Sequence, residues 1–180
     1  MKIFKEIQRF NQWWLVVLEL LVLLIVTYNF VEEFKLIETG KSDKSIYSIT
    51  FSLFIVLLVI ALIHSIKLKT RIDEMGVAYQ FSPFHLKLKT IPWEDLSKCY
   101  VRKYSPITEY GGWGMRGILR KGFLNIRGKG KAFNIKGDVG IQLIFNDGGK
   151  LLIGTQQSDN ANRVIQNYSY KISGNSTDNR

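Results

Sequence analysis

The chain has 180 residues, a single cysteine and a formal net charge of +10, length enough for one ordinary domain with small additions. One cysteine excludes an intrachain disulfide and a cysteine-based metal cluster. Residues 1–66 balance their Lys and Arg against their Asp and Glu, so the whole excess follows residue 66. That basic part points to an anionic partner, with a solubilising surface as the plainer account of the same charge.

Trp13 to Val31 and Ile46 to Ile66 are apolar runs of about 19 and 21 residues, each near the length that crosses hydrocarbon as a helix. Neither alternates as a barrel strand does. The first run exceeds a signal-peptide core, and Glu32 and Glu33 follow it in place of a small-residue cleavage site, so it reads as a retained anchor. Residues 1–66 are therefore predicted to form a transmembrane hairpin with spans at 13–31 and 46–66. Lys2, Lys5 and Arg9 precede the first span, and Lys67, Lys69 and Arg71 follow the second. Two spans put both termini on one side, and this flanking charge with the basic C-terminal part predicts that side to be the cytoplasm. Trp13, Trp14, Tyr28 and Tyr47 fall near the expected interfaces. Glu19 lies about two turns inside the first span, where it must be protonated, snorkel or pair. His64 stands at similar depth in the second span and is its candidate partner.

From Lys67 the pattern shifts to short β-like runs between turn residues. Strands are predicted at 68–73, 77–81, 86–91 and 96–104, with a corner at Pro92 to Asp95. In the third run Leu86 and Leu88 should share one face and Lys87 and Lys89 the other. In the fourth, Cys99 and Val101 share a face. Further strands are expected at 131–136, 141–145 and 150–154, the last two joined by the hairpin turn Asn146 to Gly149. Ala161, Val164, Ile165 and Tyr168 fall at helical spacing behind a cap at Ser158 or Asp159. Residues 173–180 have no periodicity and read as a disordered tail.

Between the two β-rich parts lies the chemical concentration of the chain. Tyr110 to Lys136 carries Arg116, Arg120, Lys121, Arg127, Lys129, Lys131 and Lys136 with no acid. Gly112 to Gly117 matches G-x-G-x-x-G, but a dinucleotide site needs a helix next, and Gly122, Gly128 and Gly130 oppose one. Two readings of the loop stand together. The glycines allow a tight excursion on which Trp113 packs, or Trp113 and Met115 meet the bilayer interface while the cations hold lipid phosphates.

Seven or so strands and one final helix make the element order of a pleckstrin-homology-like barrel. The corner Ile91-Pro92-Trp93-Glu94-Asp95-Leu96 and the block Gly111-Gly112-Trp113-Gly114-Met115-Arg116 resemble small bacterial proteins that carry this domain behind two membrane spans. The resemblance implies an α+β membrane protein. Its two-helix transmembrane hairpin precedes a pleckstrin-homology-like small β-barrel or sandwich over residues 67–172, closed by a C-terminal amphipathic helix. Phosphoinositide binding does not carry over, because no inositol-phosphate pocket motif is present.

Other constellations are thin. Glu94 and Asp95 are adjacent, as turn residues are, and unlike an acid–base pair. Cys99 with His85 could form a nucleophile–base couple, though a lone strand cysteine is ordinarily a small core residue. Two histidines are too few for a metal site, and no cofactor is indicated. Nucleic acid is disfavoured, since no recognition motif accompanies the charge. The expected function is a non-enzymatic, membrane-anchored binding module. Its site would be Trp113, Arg116, Arg120, Lys121, Arg127, Lys129 and Lys131, shaped by Gly111, Gly112 and Gly114. Its partners would be anionic lipid headgroups, a protein partner or a second copy. The alternative is a scaffold or regulatory subunit of a membrane complex.

Overall fold

A computed structural model describes residues 2–42, 44–117 and 130–172. The chain divides into two units, Phe10–Ile66 and a second composed of Met1–Arg9 with Lys67–Arg180.

The first unit is two helices, α1 (Trp13–Glu38) and α2 (Ile46–Ser65). Both are long and apolar enough to cross a membrane. A core helix of a soluble protein would have its apolar surface covered. Here no residue of α1 is buried, and only Ile49 of α2 is. α1 runs past the expected end at Val31 because its last turns remain helical as polar surface, with Lys35 paired to Glu32 at 3.0 Å. Ser45 caps α2, its hydroxyl accepting from the Tyr47 amide.

The second unit begins with a correction. Residues 4–9, grouped above with the hairpin, form strand β1 (Phe4–Arg9), antiparallel to β2 (Lys67–Asp73). Phe4, Glu6 and Gln8 point inward, while Lys5, Ile7 and Arg9 point out. Two of the three inward residues are polar, so the alternation that marks a half-buried strand is absent from the sequence. Their burial is compensated by hydrogen bonds. The Thr155 hydroxyl and the Gln156 amide donate to the Glu6 carboxylate at 2.6 and 2.9 Å, and Gln8 Nε2 donates to the Gly154 carbonyl at 2.7 Å.

β3 (Gly76–Ser82) and β4 (Lys89–Ile91) complete a four-stranded antiparallel sheet in the order β1-β2-β3-β4. Gly76 has φ +141°, and a Cβ there would stand 2.0 Å from the Ile91 carbonyl oxygen, so β3 and β4 approach only over glycine. The strand expected over 86–91 is confined to its last three residues, and Leu86 and Leu88 are exposed instead of sharing a covered face.

The second sheet holds β5 (Leu96–Lys103), β6 (Gly114–Arg116), β7 (Lys131–Asn134), β8 (Val139–Phe145) and β9 (Lys150–Gly154), in the order β5-β8-β9-β7-β6. All pairs are antiparallel except β7 with β9. Among the described residues the strands form two sheets and no closed barrel. Pro92, without an N–H to donate, turns the chain between β4 and β5. At β1 the link to the second sheet is made by side chains onto the end of β9, not by a ladder.

Phe4, Leu68, Ile72, Val77, Phe81, Leu96, Ile135, Ile141, Leu143 and Ile153 are fully or almost fully buried. The helix α4 (Ser158–Tyr168) lays Ala161, Val164, Ile165 and Tyr168 against β1, β2, β5 and β8, as its spacing predicts. Burial of each such aliphatic side chain contributes about 1.5–3 kcal/mol. The residue preceding it is Gln157, whose side chain makes no capping bond, so neither expected cap is used. The predicted hairpin turn forms, with Gly148 at φ +81° and the Gly149 amide donating to Asp147 Oδ1 at 2.8 Å.

Candidate functional site

The glycine-rich segment rests on a helix that the sequence reading missed. Ser105-Pro106 opens α3 (Pro106–Tyr110), with Pro at the first helical position and the Ser105 hydroxyl accepting from Thr108 N. The Glu109 carboxylate reaches back to the Ser105 amide at 3.0 Å. Ser-Pro with an acid on the following turn is the local signal that marks this helix start. Gly111 ends it at φ +73°.

α3 roofs the outer face of the five-stranded sheet. Tyr104, Tyr110, Ala132 and Leu152 form a small apolar cluster there, the two tyrosine rings meeting edge to face at 5.8 Å. Arg102 organises its rim. Its guanidinium pairs with Glu109 at 2.9 and 3.2 Å, bonds Gln142 Oε1 at 3.0 Å and touches the Tyr110 hydroxyl at 3.3 Å. Such a two-pronged ion pair fixes orientation as well as position. Burial pushes the Tyr104 phenol up to about 12, and its oxygen accepts from Asn134 Nδ2 at 2.8 Å. The Asn134 amide oxygen in turn accepts from the Gly114 amide at 2.8 Å, which ties the glycine loop to this buried network.

On that base, Trp113 and Arg116 fold back on their own segment. The Trp113 indole donates to the Gly137 carbonyl at 3.1 Å, and Arg116 Nε donates to the Trp113 carbonyl at 3.0 Å. Trp113 remains about one-third exposed. Lys131 opens β7 as an exposed cation. Arg120, Lys121, Arg127 and Lys129 lie outside the described residues. Gly117 and Gly130, the described ends of that gap, line a cleft of about 410 Å³ with Tyr79, Lys131, Phe145 and Lys150. Within the G-x-G-x-x-G match, Gly114 to Arg116 is strand β6, paired with β7. The match therefore does not sit at a strand-to-helix turn, the setting pyrophosphate binding requires.

Cys99 and His85 do not form a couple. Cys99 pairs across from Leu143 on β8, whereas the His85 ring packs edge-on against Phe133 and Tyr79 and its Nδ1 accepts from the Phe81 amide at 3.4 Å. Burial pushes the Cys99 thiol up to about 12. At pH 8 only about one thiol in ten thousand is then ionised, against roughly one in four for an ordinary cysteine. Alkylation by iodoacetamide, followed by mass spectrometry, should run about a thousandfold slower on the folded chain than on the denatured one. It should gain roughly tenfold per pH unit below the pKa, the sign expected of a raised thiol.

Inside the helical unit, His64 Nε2 meets Glu19 Oε2 at 2.8 Å. The contact that their similar depth allows between Glu19 and His64 is therefore made.

Comparison with known proteins adds no relative: no protein-family model, curated protein or solved structure matches the chain.

Proposed function

We propose that this protein is a membrane-anchored binding module, with a pleckstrin-homology-like sheet domain held at the cytoplasmic face of a bacterial inner membrane. The carrying observation is that both apolar helices are inserted between two paired strands. β1 reaches α1 through residues 10–12, and α2 reaches β2 through Ile66 alone. Two links, of three residues and of one, tether the domain to the apolar helices. Two packed sheets with one amphipathic helix against them are consistent with the pleckstrin-homology-like sandwich, and the open order departs from a closed barrel. The partner is an anionic headgroup or a protein met by the basic glycine and tryptophan loop. Each Lys or Arg near an anionic leaflet contributes about 1 kcal/mol, and the tether makes weak intrinsic affinity sufficient.

The internal bonds of Trp113 and Arg116 favour a shaping role for those two, which leaves contact to Lys131 and the cations beyond Gly117. The full chain should resist alkaline carbonate extraction, and a C-terminal reporter should be active as a fluorescent protein but inactive as alkaline phosphatase. Release into the supernatant refutes anchoring, and an active phosphatase refutes the orientation. Stoichiometric recovery of one protein from detergent, with no preference for anionic lipid, would favour the scaffold reading.

A further inference from the structure

We propose that loop 83–88, between β3 and β4, is a third membrane contact. Phe84, Leu86 and Leu88 enter the headgroup–acyl boundary, and Lys67, Lys69, Lys87 and Lys89 meet the anionic headgroups around them. This rests on the anchoring reading above.

Strand register supplies the placement. Arg9 on β1 pairs with Lys67 on β2, and Lys67 pairs with Ser82 on β3, so three strand ends stand in one row. The chain leaves that row for α1, enters it from α2, and leaves it again into loop 83–88. The loop therefore starts one strand away, about 4.8 Å, from the residue that follows α2. This is the end of the sheet at which the chain passes to and from the two apolar helices.

The loop has the composition such a position asks for. Leu86 is 90% exposed, Phe84 54% and Leu88 43%, and Lys87 and Lys89 are interleaved with them. Single exposed apolar side chains are ordinary, but three within five residues, with Lys87 between two of them and Lys89 directly after, form the pattern of an interfacial segment. Lys69 on β2 is exposed beside them. Arg9 directly opposes Lys67, a like-charged pair that an isolated sheet disfavours and an anionic surface relieves.

The loop is also built to be held out. The His85 amide donates to the Phe81 carbonyl at 2.8 Å, and Gln80 Nε2 donates to the carbonyls of His85 and Leu86 at 3.0 and 3.1 Å. Phe84 stacks on Phe81 with ring centres 6.1 Å apart, and the His85 ring lies 5.2 Å from that of Phe133. Protein donors thus satisfy the two carbonyls next to the exposed leucine, as backbone near hydrocarbon requires.

The test uses the full chain in nanodiscs, with Cys99→Ser and one new cysteine carrying an environment-sensitive fluorophore at Leu86→Cys, Met75→Cys or Leu57→Cys. Met75, 68% exposed in the turn between β2 and β3, marks the opposite end of the same sheet, about 20 Å along the strands. Leu57 marks α2. With spin-labelled lipid present, the label at 86 should be blue-shifted and quenched several-fold more than the label at 75. Adding about 30% phosphatidylglycerol should deepen that quenching, and about 0.5 M NaCl should reverse the increment. Equal quenching at 86 and 75, with 57 quenched, overturns the loop contact and leaves anchoring intact. No quenching at 57 overturns anchoring itself. Wild-type chain gives a reading free of substitutions: Lys87 and Lys89 should acetylate more slowly in phosphatidylglycerol discs than in phosphatidylcholine discs. Equal rates overturn the headgroup contact.

Discussion

A soluble fragment beginning at Lys67 is expected not to fold. It would lack β1, and with it Phe4, which has no exposed surface, together with the two side chains that stitch the first sheet to the second. Loss of a buried Phe alone costs about 3–5 kcal/mol. Removing Glu6 takes away the acceptor of the buried Thr155 hydroxyl, which keeps only the bond it accepts from the Gln157 amide, and each such unmade donor adds about 1–3 kcal/mol. These losses fall within the roughly 5–15 kcal/mol of a whole domain's stability, and β2 becomes an unpaired edge as well. Because Arg9 faces Lys67 across an antiparallel pair, residues 2–9 joined to 67–172 by a short Gly-Ser linker should restore the domain. Circular dichroism and a cooperative melt of the two fragments decide the matter. A folded 67–180 fragment would show that β1 is dispensable.

Trp93→Ala should be the most damaging single substitution outside the glycines. The side chain is buried, its indole donates to the Asp73 carbonyl at 2.9 Å, and its ring stacks on Tyr168 with centres 5.8 Å apart. Tyr168 in turn donates to the Lys2 carbonyl at 2.9 Å. Trp93 therefore links the β2–β3 end, α4 and the chain just before β1. Truncation to Ala costs about 3–5 kcal/mol, a fall in Tm on the order of 15 °C for a domain this size. Trp93→Phe keeps most of the packing and removes the donor, so it should cost about 1–3 kcal/mol. Thermal melts of full-length protein in neutral detergent measure both. A Trp93→Phe variant as unstable as Trp93→Ala would mean that the hydrogen bond, not the ring, dominates.

The legible parts of the chain are those whose signal is local. The two long apolar helices announce themselves by length and hydropathy, the 146–149 turn by residues that tolerate positive φ, and α4 by an apolar stripe that its neighbours do cover. The illegible parts depend on what lies opposite. β1 hides because Glu6 and Gln8 are buried against the backbone and the Thr155 hydroxyl about 150 residues away, and no pattern within six residues can report that. α3 carries a Ser-Pro-acid signal, yet its importance comes from Arg102 and Asn134, which only folding brings beside it. The alternation at 86–91 suggests a strand, but β3 offers pairing only to Lys89, Thr90 and Ile91.

Hydropathy and side-chain periodicity along the chain determined the two long apolar helices, most of the strands and the final helix, since these follow from how each short segment partitions against water. Tertiary structure alone decided that the two apolar helices form an insertion between two paired strands, that the described strands make two sheets and no closed barrel, and that loop 83–88 opens from the strand row at which the chain returns from that insertion. Each of these is a matter of register between distant segments, and register is set by long-range packing and hydrogen bonding, which short-range pattern does not encode.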